Sequence, residues 1–292
     1  MMKQSLWSLA AALLFSLMAA FVKLSSGELG SLEMVFYRSL FGMIVIALYV
    51  QRNHLTLKTP YVLGNLNRSV LGTLSIGAWF YTLGELPFGT NMTLIYTTPL
   101  FMAVNFIILA WMKHQRAPWA LVLSIIVGFV GIAIVLQPSF SRDELVPALI
   151  CLAVSFLDLI IYWQMKQLGD LKEPSWRIVF YFTCCGTVFG LVGTYLLEEG
   201  LHMPTVNSLI AILGMGACAT LGQICTTRSY AYGNMLLSSC LGFSAIPFSA
   251  LISWLLFGEA QSVVTLAGMS LILGAGLAAT ISTKRSEAAA AG

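Results

Sequence analysis

The feature that most constrains this chain is the length of its uncharged apolar runs. No charged residue lies between Lys3 and Lys23, Glu85 and Lys113, Arg116 and Arg142, Glu199 and Arg228, Arg228 and Glu259, or Glu259 and Lys284. About 20 mostly apolar residues are enough to cross the hydrocarbon core of a bilayer as a helix, and each run reaches that length. Of the 292 residues, 58% are hydrophobic and 9% charged, whereas a soluble domain carries about a quarter charged residues. So little polar surface cannot cover a water-soluble globule.

Read as helices, these six runs and four further apolar segments give ten spans, at 4–24, 32–50, 65–83, 88–112, 119–136, 145–165, 178–197, 206–227, 234–257 and 263–282. The connectors are short and carry turn residues such as Pro60, Pro87, Pro118, Pro138, Pro174, Pro204 and Gly233. Nothing is left over for a soluble domain. Residues 286–292 read as a disordered tail. The first span follows Lys3 in the manner of a secretory signal, but its apolar stretch is longer than a signal core, so it is read as a retained helix. The six cysteines all lie in apolar stretches and read as small hydrophobes.

Loop charge sets the orientation, because cytoplasmic loops are enriched in Lys and Arg. With the N-terminus inside, the inner positions hold Lys3, Arg52, Lys58, Lys113, Arg116, Lys166, Lys172, Arg177, Arg228, Lys284 and Arg285, and the outer loops hold only Arg142. Eleven against one places both termini in the cytoplasm and the chain in a bacterial inner membrane. The net charge of +3 is scattered through short loops, so no nucleic-acid partner is expected.

Ten spans divide at Arg142-Asp143-Glu144 into five and five, giving repeats at 1–141 and 142–285. With an odd number of spans in each half, the second repeat starts from the opposite side of the membrane. The fold class expected is therefore all-α, with ten transmembrane helices as two inverted five-helix repeats, a common build for secondary transporters. Pro99 in the fourth span and Pro247 in the ninth fall at corresponding depths, where proline loosens or kinks a helix. Gly128 and Gly131 in the fifth span match Gly268, Gly274 and Gly276 in the tenth.

These residues resemble the ten-helix EamA branch of the drug/metabolite transporter superfamily. The similarity is carried by Pro247, Phe257-Gly258-Glu259, Gly268 and Gly274-Ala-Gly276, and by Phe36-Tyr37-Arg38-Ser39 in the second span. The first half departs from the pattern, with Trp111-Met112-Lys113-His114 where Gly-Glu is usual. The resemblance implies transport of amino acids, nucleotide-like metabolites, vitamins or toxic cations, often outward. It also implies a central cavity lined by spans 1, 3, 4, 6, 8 and 9.

Asp158 is the most informative single residue. An acid inside a span is costly and marks a functional site by default. It is a candidate for proton exchange during transport, or for a fixed pair with a base from another helix. Arg38, two turns into the second span, is expected to pair with Glu33 or Asp158 or to meet a substrate carboxylate. Lys23 is expected to reach the interface, and Arg68 and Arg228 to anchor inner helix ends. Trp79, Tyr96, Tyr162 and Gln223 complete the expected binding or coupling set, and Tyr162 shares a helix face with Asp158. Pro99 and Pro247 are the expected kink or gating positions. Such a cavity suits a flat or amphipathic organic solute.

No Gly-rich phosphate loop ends in Gly-Lys-Ser/Thr, and no His-Glu-x-x-His or Gly-x-Ser-x-Gly motif is present. No cofactor, metal site or enzyme activity is therefore expected. The expected partners are a small-molecule solute, the bilayer and a coupling proton, in a monomer or homodimer. The reading is a secondary transporter, an exporter in direction by resemblance, with proton-linked uptake of a vitamin, nucleotide-like or amino-acid-derived metabolite as its rival and an intramembrane enzyme as the more distant one.

Overall fold

The computed structural model describes residues 2–112, 119–136, 142–202, 205–260 and 262–291. Lys113, His114, Arg116, Pro118, Pro138 and Pro204 lie outside the described residues, as does the connector ahead of Arg142. Thirteen helices and no strand occur among the described residues. They are α1 (Met2–Ser5), α2 (Trp7–Ser25), α3 (Ser31–Arg52), α4 (Val62–Glu85), α5 (Phe88–Ile95), α6 (Thr98–Met112) and α7 (Trp119–Leu136). There follow α8 (Arg142–Asp170), α9 (Ser175–Leu197), α10 (Val206–Tyr232), α11 (Met235–Gly242), α12 (Ala245–Phe257) and α13 (Val263–Ala291).

Among the described residues, six stretches are long and apolar enough to cross a membrane: Lys3–Ser25, Ser31–Arg52, Phe88–Leu109, Glu144–Asp170, Ser175–Leu197 and Ser208–Tyr232. α12, and the described parts of α7 and α13, add shorter apolar helices. α4 falls short of that apolarity because Asn65, Arg68, Ser69, Thr73, Ser75 and Thr82 interrupt it, and all six are buried against other helices. Large apolar side chains point outward on most helices, including Leu63, Trp119, Val188 and Val206. An apolar surface this extensive is stable only in lipid, so the chain is a multi-pass membrane protein.

The most extensive pairings run α7 along α13, α2 along α10 and α3 along α9, with α4 packed on α8 and α9. Small residues permit these approaches. A side chain added at Gly131 would place its Cβ 2.9 Å from the Gly268 carbonyl oxygen across the α7–α13 contact. One added at Gly190 would come 2.7 Å from the Cα of Phe36 across α9–α3. α13 continues to Ala291, beyond the last expected span, through residues 286–291 where the sequence reads as a tail. Those residues include a run of alanines, the best helix former.

Two expected spans are interrupted. The fourth is the pair α5 and α6, separated at Tyr96-Thr97, and the ninth is the pair α11 and α12, separated at Phe243-Ser244. Pro99 and Pro247 stand in the first turn of α6 and α12, where a helix has no acceptor for the missing N–H. They begin new half-helices rather than kink continuous ones. Hydroxyl groups take up the carbonyls freed at the end of α5. Thr97 Oγ1 donates to Leu94 O (2.7 Å), and Ser155 Oγ of α8 lies 2.8 and 3.0 Å from Leu94 O and Ile95 O. At the second break Ser244 Oγ donates to Leu241 O (2.7 Å).

Gly258 closes α12 in the left-handed region at φ +63°, a conformation that glycine adopts without steric cost. The turn brings Glu259 back so that its carboxylate accepts Phe88 N (2.9 Å) and Ser253 Oγ (2.7 Å). The Gly-Glu pair thus caps α5, where a carboxylate opposes the helix dipole. Glu198 caps α3 in the same way, accepting Leu32 N (2.8 Å) and Glu33 N (3.1 Å).

Candidate functional site: a cavity at the helix breaks

Four helices present one face each to a shared space. On α4 the face is Arg68, Gly72, Ser75 and Trp79; on α8 it is Asp158, Tyr162 and Met165; on α10 it is Gln223, Thr226 and Tyr230; on α2 it is Ser8, Ala12 and Phe15. Each set repeats at three or four residues, the spacing of a single helical face. Tyr96, Thr98 and Pro99 enter from the first helix break, and Ser239 and Gly242 from the end of α11 at the second. The cavity holds about 860 Å³ of atom-free space, counted out to its open mouth. Its wall is mostly apolar and aromatic with a few converging polar groups, as in sites for small organic ligands.

Asp158 accepts a hydrogen bond from Ser75 Oγ (2.7 Å), which ties α8 to α4 inside the cavity. Tyr162 stacks on Tyr230 with ring centroids 4.0 Å apart and an interplanar angle of 12°. Phe15 meets Trp79 edge-on at 6.4 Å. Phe182 of α9 closes the wall beside Arg68, whose guanidinium carbon lies 4.2 Å from the ring centroid.

Toward the loops carrying Glu85 and Glu259, the cavity ends in a buried polar knot. Trp79 Nε1 donates to Asn91 Oδ1 (2.9 Å), and Asn91 Nδ2 donates to Thr82 Oγ1 (2.9 Å) and contacts Cys151 Sγ (3.4 Å). Phe80, Leu83, Leu86, Phe88 and Met92 surround it, each fully buried. At the opposite end Ser8 Oγ lies 2.7 Å from Ser229 Oγ, which donates to Ser238 Oγ (2.8 Å). These serines pin α2, α10 and α11 together.

Of the residues singled out in the sequence, Asp158, Trp79, Tyr96, Tyr162, Gln223 and Pro99 line this cavity. Arg38 and Pro247 do not. Arg38 is 1% exposed, behind Phe182 at 5.3 Å from its ring centroid. Its expected partner Glu33 is occupied by His202, whose backbone N (2.7 Å) and Nδ1 (2.9 Å) both meet that carboxylate. Lys23 is half-buried at the end of α2, and its Nζ donates to Leu86 O (2.8 Å), beyond the end of α4. Arg68, read in sequence as an inner anchor, is buried against the cavity instead. α4 starts at Val62, so Arg68 sits nearly two turns into the helix. Counting back from Trp79 by 4, 3 and 4 gives Ser75, Gly72 and Arg68, a periodicity that identifies the same face from sequence.

Residues 2–137 match the EamA-like transporter family. The chain is 27% identical over 260 residues to the pseudopaline exporter CntI of Pseudomonas aeruginosa, covering 89% of each chain. It is 26% identical to a riboflavin transporter of Rhizobium johnstonii, covering 94% of this chain and 89% of the other. It is 24% identical to an S-adenosylmethionine uptake transporter of Rickettsia bellii, covering 88% and 86%. A crystal structure of a further protein superposes with a TM-score of 0.73 at 18% identity, over 98% of this chain and 99% of that one, and so shares the fold. Residues 2–137 match an EamA-like transporter domain, and with these nearly full-length relatives, which are named as transporters, they support a small-molecule transporter.

Proposed function

We propose that the protein is a secondary active transporter that exports a small organic metabolite, with an amino acid or an amphipathic aromatic compound as its substrate class. The observation that carries this reading is the cavity between two interrupted helices, walled by stacked tyrosines and a tryptophan and holding one carboxylate. Broken helices bring backbone ends and polar side chains to the binding site in transporters built from repeats. The pairing pattern supports two inverted five-helix repeats, at 1–141 and 142–285. α2 packs along α10 as α8 packs along α4, and α3 meets α10 as α9 meets α4. Those are the pairings that exchange when one half is mapped onto the other. Loop charge supports an inner-membrane location with both termini cytoplasmic.

Export is supported by the pseudopaline exporter among the relatives. Uptake is the second reading, favoured by the S-adenosylmethionine uptake relatives and by Asp158 in the cavity as a proton-exchanging group. Reconstitution in proteoliposomes tests the mechanism. A carrier gives saturable, ATP-independent flux with counterflow, whereas flux that never saturates and shows no counterflow belongs to a channel. Product formation without vectorial movement would belong to an intramembrane enzyme. An imposed proton gradient of each sign then separates export from uptake.

A further inference from the structure

Two arginines share one aromatic ring deep in the protein. Arg68 and Arg38 are each 1% exposed, and their guanidinium carbons stand 4.2 and 5.3 Å from the centroid of Phe182. Among the described residues, the Nε and Nη1 atoms of both have no hydrogen-bond partner. Among the described residues neither forms an ion pair; the pairs there join Lys166 to Asp170, Arg177 to Glu173 and His202 to Glu33. Asp158 shares the cavity with Arg68 but takes its hydrogen bond from Ser75. If all three groups are charged, the cluster carries two positive charges against one negative.

An unbalanced buried cation is expensive, and contact with a ring face recovers only part of that cost. Two cations on the same ring also repel one another. Gly72 matters here because a Cβ at that position would lie 3.2 Å from Arg68 Nη1 and 3.1 Å from Phe182. The backbone therefore leaves room around a guanidinium that faces the cavity with donors to spare.

We propose that Arg68, reinforced by the charge of Arg38 behind Phe182, is a carboxylate subsite of the substrate cavity, and that the substrate is an organic anion or zwitterion with an aromatic or amphipathic body. A guanidinium presents paired N–H groups that match a carboxylate. A carboxylate at Arg68 leaves Asp158 to face a substrate cation and the Tyr162–Tyr230 stack to face its ring. The proposal rests on the reading of this cavity as the substrate site and narrows the class of compound it takes.

The test uses purified full-length protein in detergent and two matched probe pairs, tryptophan with tryptophanamide and indole-3-acetate with indole-3-acetamide. Ligand binding to the folded state raises the unfolding temperature. The acids should stabilise the wild type more than the amides, and Arg68→Gln should abolish the difference. Without ligand, Arg68→Gln should leave the unfolding temperature unchanged or raise it by about 2–4 °C, since it removes an uncompensated charge. Arg68→Lys, which keeps charge but loses the paired geometry, should retain a smaller preference for acids. Equal stabilisation by acids and amides would overturn the proposal. So would the absence of any stabilisation together with a lower unfolding temperature in ligand-free Arg68→Gln, the signature of a packing role on Phe182. Counterflow of the same probes in proteoliposomes separates the two layers. Carboxylate binding without flux would refute the carrier reading, and flux blind to the carboxylate would refute the subsite.

Discussion

Ser75 Oγ donates to the Asp158 carboxylate across 2.7 Å, joining α4 to α8 at the centre of the cavity. The bond fixes the position of the Asp158 carboxylate on the cavity wall, where the proposed transport cycle would use it to exchange a proton or to meet a substrate cation.

Asp158→Asn keeps an acceptor for Ser75 but loses the titrating group. Transport by this variant should fall at least about tenfold, the consequence of losing some 1.4 kcal/mol of coupling, and its residual rate should no longer vary with pH. Ser75→Ala removes one hydrogen bond to a charged group, worth about 1.5–3 kcal/mol, and should lower the rate while keeping a pH-dependent profile. Flux measured in proteoliposomes across pH 5.5–8.5 checks both. A well-folded Asp158→Asn protein with the wild-type pH profile would assign Asp158 a structural role.

Much of this arrangement is legible in the sequence. Asp158 stands out because charge is rare in an apolar run, and Tyr162 follows from helical spacing. Arg68 is harder, because its place near the inner end of the third expected span suggests an interfacial anchor and only burial distinguishes the two. The helix breaks are harder still. Proline in a span permits a kink or an interruption, and the choice depends on whether the freed carbonyls find donors. At the first break one of those donors is Ser155, 60 residues away on α8. Glu33 and His202 lie 169 residues apart, and no local pattern connects them.

The Trp79–Asn91 bond closes the cavity toward the acidic loops, and its stability can be measured directly. Asn91→Leu leaves the Trp79 N–H without a partner in a dry surrounding, a cost of about 1–3 kcal/mol. The unfolding temperature should drop by several degrees. Adding Trp79→Phe removes the stranded donor, and the double variant should recover part of the loss, because replacing both partners by apolar groups is nearly neutral. A double variant that shows only the sum of two losses would mean the bond contributes little beyond packing.

Close helix contact makes another prediction. At Gly190 an added Cβ meets the backbone of Phe36, its nitrogen at 2.5 Å and its Cα at 2.7 Å. Backbone cannot rotate away, so Gly190→Ala must separate α9 from α3 and should cost about 1–3 kcal/mol, as overpacking does. Gly274→Ala on α13 is the control, since nothing among the described residues lies within 4 Å of its added Cβ. Size-exclusion recovery and thermal unfolding of the two variants should differ, with Gly274→Ala matching the wild type. Equal behaviour would show that the α3–α9 contact can give way more readily than its geometry implies.

His202, in the connector between α9 and α10, joins the start of α3 through the buried carboxylate of Glu33. The hydrogen bond to Glu33 and the charge of that carboxylate raise the imidazole pKa above its usual value, and Glu199 and Glu198 act in the same direction. A group whose folded pKa is raised stabilises the fold fully below its unfolded pKa, about 6.5 for histidine, and loses that contribution as pH climbs through the folded value. Wild type should therefore unfold at a higher temperature than His202→Ala at pH 5.5, and the gap should shrink by pH 8.5. Because the imidazole is 46% exposed, salt should narrow the gap at pH 5.5 as well. Alanine preserves the backbone bond from residue 202 to Glu33, so the comparison isolates the imidazole charge. A gap of the same size at both pH values would show that packing at His202, rather than its proton, links the connector to α3.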